Sequence, residues 1–353
     1  MLYKKILIII IFIIFIYFIS KLLLKRMEIK KEMEGFKEGG IFNFFSSESG
    51  EISDAKDTSM DGLNGLLNCT YTNLPLNQLC IKASYNTALT GSYVSNDMIY
   101  YVLSRGCRFL DFEIYAVDDI PYVAYSNDPN SLKYSTKNKL LLSSVLSFIS
   151  QHAFMSPCPN PHDPLFINFR IKTSSQKLYE NIAMALDVNI KRRLYQGNVS
   201  GYTPLSNLLG KVVLIIDRLV APDYMKYPDC TSVVGQCYNI LNYSNMESNG
   251  KGLRVYGYNN LLDQKTFPPN INDDGITTND NNFKMVIPDG INTLFGIVKN
   301  PEVNPIILNY GIQICCYRFY QKDTNLLGYE QIFSDNKAAI VPMAIMIKYL
   351  SKQ

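Results

Sequence analysis

The stretch CRFLDFEIY, Cys107 to Tyr115, constrains the fold more than any other. Cys107, Phe109, Asp111, Glu113 and Tyr115 fall on one face of an extended chain, and Leu110, Phe112 and Ile114 on the other. A strand with hydrophobes on one side and carboxylates on the other packs one face on helices and lines a polar cavity with the other. PLFINFRIK repeats the pattern: Leu165, Ile167, Phe169 and Ile171 face one way, and Asn168, Arg170 and Lys172 the opposite way. KVVLIID is continuously apolar, as strands buried in parallel sheets are. NQLCIKAS reads as the first strand, PYVAYS as a third and YGIQICCYRFY as a late one. Helical segments alternate with them. Ser95 caps a helix running through Arg105, which Gly106 ends, and NKLLLSSVLSFISQHAF forms the next. Thr173 and Gln176 form a capping box ahead of Leu178, Ile182 and Ala185 at helical spacing. Residues 259–282, rich in Asn, Asp, Pro and Gly, read as loop. Repeated βα units with polar groups at strand ends predict an α/β fold, a TIM-type (β/α) barrel of about 250 residues.

The remainder of the 353 residues is distinct in character. Ile6 to Ile19 is uninterruptedly apolar and Leu22 to Leu24 extend it past Lys21, reaching the ~20 residues that cross a bilayer as a helix. No small-residue cleavage site follows, so the segment reads as an uncleaved anchor. The predicted organisation is a transmembrane anchor with flanks over 1–26, a flexible Gly- and Ser-rich stalk over 27–66, and the barrel over 67–350. That makes a single-pass membrane protein, and the lysines and arginine after the segment favour a cytoplasmic carboxy-terminal domain. A net charge of +3 is too mild for a nucleic-acid partner. Eight cysteines without a C-x-x-C pair exclude common zinc spacings; buried free thiols are the expected state, with a Cys230–Cys237 disulfide as the alternative. Only His152 and His162 are available for imidazole chemistry, and both read as surface or loop residues.

SYNTALTG, SRGCRFLDFEIY, PYVAYS and GKVVLIID, in this order, resemble the X region of phosphatidylinositol-specific phospholipases C. The family's counterparts run H-N-T-x-L-T-G, G-C-R-x-x-E-L-D, P-x-V-x-H-G and G-K-I-x-x-K-x-K. YGIQICCYRFYQ and AAIVPMAIM resemble its Y region. The resemblance divides the barrel into an X-like region over 74–220, a loop-rich spacer over 221–250 and a Y-like region over 251–346. The chain also resembles members encoded by large DNA viruses, which implies a host or virion membrane.

The family chemistry uses two histidines, a calcium ion held by one Asn and three carboxylates, and basic residues that grip ring phosphates. Here Tyr85 and Ser126 stand at the histidine positions. Asn86 is retained, Asp111 and Glu113 occupy the paired carboxylate positions with identities exchanged, and Arg170 takes the fourth ligand position. Ile215 and Asp217 replace lysines, while LRVYGY resembles the ring-contacting pair, which would be Arg254 and Tyr256. Tyr85 reads as an aromatic filling a histidine's space, ahead of a nucleophile. In YSNDPNS, Ser126 and Asp128 read as turn chemistry ahead of a hydrolase dyad. Losing one positioned acid or base costs roughly 10²–10⁴ in rate, and both are changed. A divalent ion beside Arg170 would feel about 8 kcal/mol of repulsion at an effective dielectric near 20, comparable with the free energy of ~1 μM binding. The expectation is therefore a membrane-anchored phospholipase C-like domain without turnover and without bound calcium. Arg170 would replace the ion between Asp111 and Glu113, and the pocket of Asn86, Asp111, Glu113, Arg170, Arg254 and Tyr256 would serve a phosphoinositide headgroup or a protein partner. An active phosphoric diester hydrolase with altered chemistry is the alternative.

Overall fold

The computed structural model describes residues 12, 14–21, 47–56, 67–156, 158–226, 238–250, 252–272, 275–278, 282–289 and 299–352. Eight parallel strands form its centre: β1 (Leu79–Ser84), β2 (Phe109–Val117), β3 (Leu165–Ile171), β4 (Val212–Asp217), β5 (Met246–Ser248), β6 (Arg254–Gly257), β7 (Lys284–Ile287) and β8 (Ile314–Tyr317). β5 to β1 pair in sequence order, then β1 with β8, β8 with β7 and β7 with β6. A bridge between Ser248 and Leu253 joins β5 to the start of β6 and brings the two ends of the sheet together.

Alternation along the strands sorts the residues into two layers. Ile81, Ala83, Phe109, Phe166, Val213, Ile215, Met285 and Ile314 fill the interior. Leu110, Phe112, Ile167, Phe169, Leu214, Val286 and Tyr317 point outward into the helices. The helix after β1, Asn96–Ser104, begins at Ser95, whose side chain accepts the Asp97 N–H. Leu142–His152 and Gln176–Asn189 pack against one another and bury Val145, Leu146, Ile149, Leu178 and Ile182 in the apolar layer outside the strands. The second of these opens at Ser175, which accepts from Leu178 N, so the helix starts two residues beyond the expected Thr173 cap. Val303–Tyr310 ends at Gly311 in the left-handed conformation, φ 56°, where a side chain would be strained.

Several expectations need correction. PYVAYS does supply a strand, Ile120–Val123, but it folds back antiparallel on β2 and is not one of the parallel strands of the barrel. Between 259 and 282 lie the end of a short helix, Tyr258–Leu262, and a ribbon pairing residues 270–271 with 277–278. The 27–66 stalk is not free throughout. Glu48–Lys56 is a helix that buries Ile52 and Ala55, while 27–46 and 57–66 lie outside the described residues.

The spanning anchor and the single-pass membrane localisation are overturned as well. Among the described residues no helix is long and apolar enough to cross a membrane. Most of the anchor expected over 1–26 lies outside the described residues. Six cysteines (69, 80, 107, 158, 315 and 316) are buried free thiols; Cys230 and Cys237 lie outside the described residues.

Candidate functional site

The site lies at the carboxy-terminal end of the barrel, where inward positions turn from apolar to polar along each strand. Asp111 and Glu113 follow Phe109 on β2, and Asn168 and Arg170 follow Phe166 on β3. The two strands pair with Asp111 opposite Asn168 and Glu113 opposite Arg170, so the four side chains share one layer. The turn after β1 closes over them. The Thr87 hydroxyl accepts the Asp111 N–H at 2.9 Å and the Asp111 carbonyl accepts Thr87 N–H at 2.9 Å. That turn holds Asn86 at φ 46°, a left-handed position that Asn tolerates better than most residues, and its N–H donates to Asp111 Oδ2 at 3.1 Å.

Arg170 is the centre of this layer. Nε donates to Asp111 Oδ1 at 3.1 Å; Nη1 donates to Glu113 Oε1 at 2.7 Å and Tyr85 Oη at 3.4 Å. Nη2 donates to Asp111 Oδ2 at 2.7 Å and Asn86 Oδ1 at 2.5 Å. A guanidinium has five N–H donors, and all five are spent. Burial alone would lower the pKa of Arg170, but Asp111, Tyr85 and Glu113 outweigh it and hold the guanidinium firmly charged. The Tyr85 ring stacks beneath it, 4.7 Å from Arg170 Cζ and 5.9 Å from Arg318 Cζ. Burial pushes the Tyr85 hydroxyl far above its ordinary value, Arg170 opposing it and the neighbouring carboxylates adding to it, so it stays protonated.

The carboxylates keep further partners. Asp111 Oδ1 also accepts from Asn168 Nδ2 at 2.9 Å, and Asn168 Oδ1 accepts from the Ser248 hydroxyl at 3.0 Å. Glu113 Oε2 accepts from the Tyr115 hydroxyl at 2.8 Å and from Ser126 N at 3.2 Å. Ser126 reaches Glu113 through its N–H and Tyr115 through its side chain; its hydroxyl also accepts the Asp128 N–H, and Asp128 accepts the Asn130 N–H, which is turn chemistry rather than a dyad.

These residues do not fit a calcium ion. A hard dication needs free oxygen ligands, and Asp111, Glu113 and the Asn86 side-chain oxygen all point at the guanidinium. Among the described residues no group of three or more His, Cys, Asp or Glu side chains is placed to hold a metal.

Above Arg170 a cavity of about 390 Å³ opens to solvent, lined by Tyr85, Arg170, Lys172, Asp217, Asn249 and Asp289 among others. Asp217 is buried and its carboxylate accepts from Leu219 N, Val220 N, Ser248 Oγ and Asn249 Nδ2. Burial raises its pKa above the ordinary carboxylate value. Lys172 is also buried; it donates to the Pro129 carbonyl at 2.5 Å and lies 3.9 Å from Glu113 Oε1. The alternation of PLFINFRIK puts Lys172 on the face of Asn168 and Arg170, but nothing in the sequence marks it as a pocket residue.

Arg254 and Tyr256 are not in the cavity. They occupy outward positions of β6, Arg254 exposed and Tyr256 packed against the outer apolar layer. Ile215, in place of a family lysine, belongs to the inner apolar layer. Neither histidine reaches the mouth. His152 bonds the Phe148 carbonyl in the last turn of its helix, and His162 is exposed in the loop leading into β3.

Residues 72–217 match the family model of the phosphatidylinositol-specific phospholipase C X domain. Among solved structures, PLC21 of L. pealei superposes with a TM-score of 0.56 at 14% identity, covering 78% of this chain and 38% of that one. PLC21 of S. officinalis does so with a TM-score of 0.54 at 14% identity, covering 91% and 44%. The chain thus spans less than half the length of either. No curated protein matches the sequence. The barrel therefore has the fold of the phospholipase C-like phosphodiesterases, with an X-domain match that runs from just before β1 to the end of β4.

Proposed function

We propose that this chain is a phospholipase C-like domain that binds a phospholipid headgroup at the barrel mouth without calcium-dependent cleavage. One observation carries the reading: the Arg170 guanidinium spends all five donors on Asp111, Glu113, Asn86 and Tyr85. It fills the hollow between the carboxylates and leaves no oxygen directed at a cation. Tyr85, kept protonated by burial, is no general base, and the Ser126 hydroxyl accepts the Asp128 N–H of its own turn. The X-domain match supports a headgroup of the phosphoinositide type as ligand.

The test uses the full chain with phosphatidylinositol vesicles, with and without millimolar calcium, and measures water-soluble inositol phosphate. No calcium-dependent release above the protein-free control is expected. Sustained release that chelation abolishes would sink the proposal.

A further inference from the structure

The lining of the mouth cavity also points to the charge of its ligand, an inference that rests on the binding role proposed above. Two cationic side chains line it among the described residues, Arg170 and Lys172. Arg170 has no donor left, so a bound anion gains nothing from it beyond a charge that Asp111 and Glu113 already balance. Lys172 differs. An ammonium has three N–H donors; one is used on the Pro129 carbonyl, and Glu113 at 3.9 Å is an ion-pair neighbour beyond hydrogen-bond reach. The side chain is more than nine-tenths buried and still borders the cavity.

The opposing charge is substantial. Asp217 and Asp289 line the same cavity, with Asp111 and Glu113 directly behind Arg170. With Arg170 balanced by the two carboxylates behind it, two lining carboxylates stand against one lining ammonium; Arg318, 5.9 Å from the Tyr85 ring, lies behind the lining. One anionic group next to Lys172 finds a donor there, whereas a second or third lies against carboxylates with no further lining cation to meet it. The rest of the described lining is uncharged, apolar at residues such as Leu219, Val220 and Ile287 and polar at Asn130, Ser131 and Asn249. Such a wall suits an uncharged remainder carrying hydroxyls.

We infer that Lys172 is the specificity-determining residue of this cavity and selects a ligand bearing a single phosphate-type charge on an uncharged polyol, against polyphosphorylated ones. In the family pattern the phosphate-gripping cations stand on the following strand, at the positions of Ile215 and Asp217. Here, among the described lining residues, the one cation with donors to offer sits at the end of β3.

Calorimetric titration of the full chain without calcium tests this with three probes: inositol 1-phosphate, inositol 1,4,5-trisphosphate and inorganic phosphate. Inositol 1-phosphate is expected to bind tightest. Lys172→Met should weaken it at least about tenfold, since a hydrogen bond to a charged group is lost, and Lys172→Arg should retain it within a few-fold. If Lys172→Met fails to fold, as its melting curve will reveal, Lys172→Gln replaces it, and the wild-type preference between the probes still decides. Trisphosphate binding more tightly, an unchanged affinity in the Lys172 variants, or no binding of any probe overturns the inference. Inorganic phosphate binding as well as inositol 1-phosphate overturns the part given to the polyol wall. Failure of the binding-without-cleavage reading is visible separately, as inositol phosphate released from vesicles.

Discussion

Arg170 makes the residue scale decisive, because one guanidinium holds two buried carboxylates. Removing one partner of a buried ion pair typically costs 3–5 kcal/mol, since the other charge stays buried and uncompensated. Arg170→Ala leaves both Asp111 and Glu113 in that state, so the melting temperature at neutral pH should fall by many degrees. Millimolar calcium should recover part of that loss in the variant, because the hollow and its oxygens are then free, and should leave the wild-type melt unchanged. A wild-type melt that rises with calcium would contradict the fit argued for these residues. Tyr85→Phe keeps the stacked ring and loses only a 3.4 Å contact to Arg170, so its cost should stay below about 1 kcal/mol. The facing of Asp111, Glu113 and Arg170 was legible in the sequence because period-two alternation is rigid. The saturation of the guanidinium was not, since it depends on Asn86 being turned inward by a left-handed backbone.

Among elements, the helix Thr324–Asp335 is tied to the barrel by its own buried ion cluster. Glu330 accepts from Lys82 Nζ of β1 at 3.0 Å and from Arg105 Nε and Nη2 at 2.9 and 2.8 Å. Burial on its own would raise the Glu330 pKa, but Lys82 and Arg105 outweigh it and hold the carboxyl below its ordinary value. A folded-state pKa below the unfolded value of about 4.3 means the contribution is complete above that value and is lost as pH falls through the folded one. Glu330→Gln should therefore lower the melting temperature near pH 7 and show a shallower further fall between pH 5 and pH 3 than wild type. Parallel acid-dependent slopes in the two proteins would rule out this cluster as the cause. Element-level reading failed where segments were short. Four residues of β6 do not announce a face; pairing with Lys284–Ile287 of β7 turns Arg254 and Tyr256 outward. The antiparallel Ile120–Val123 did carry a signal, the pair Asp118–Asp119. Both have positive φ, 53° and 59°, as a two-residue hairpin turn requires.

For the whole molecule, barrel closure explains why so much of the architecture was readable and the segment before it was not. Strand order follows chain order around the ring, so identifying strands in sequence nearly specifies the topology. The residues ahead of the barrel have a composition that suggests freedom, yet Glu48–Lys56 docks as a helix near the site loop. Glu51 Oε2 accepts from the Thr90 hydroxyl at 2.6 Å and from Ser92 N at 2.9 Å, and Ile52 and Ala55 are buried. Thr90 lies in the same loop as Tyr85 and Asn86, with Leu89 bridged to Val94 behind it. Holding one end of that loop restricts the turn that presents Asn86 to Arg170, so loosening the helix should be felt in the site. Glu51→Ala removes two hydrogen bonds to a charged acceptor in a half-buried setting, a loss of about 1–3 kcal/mol in local stability. Amide hydrogen exchange should then quicken across 86–94 by roughly tenfold or more, while strands β3 and β4 exchange as in wild type. If exchange in 86–94 is unaltered, the helix is a passenger on the barrel and the loop is held by β1 and β2 alone.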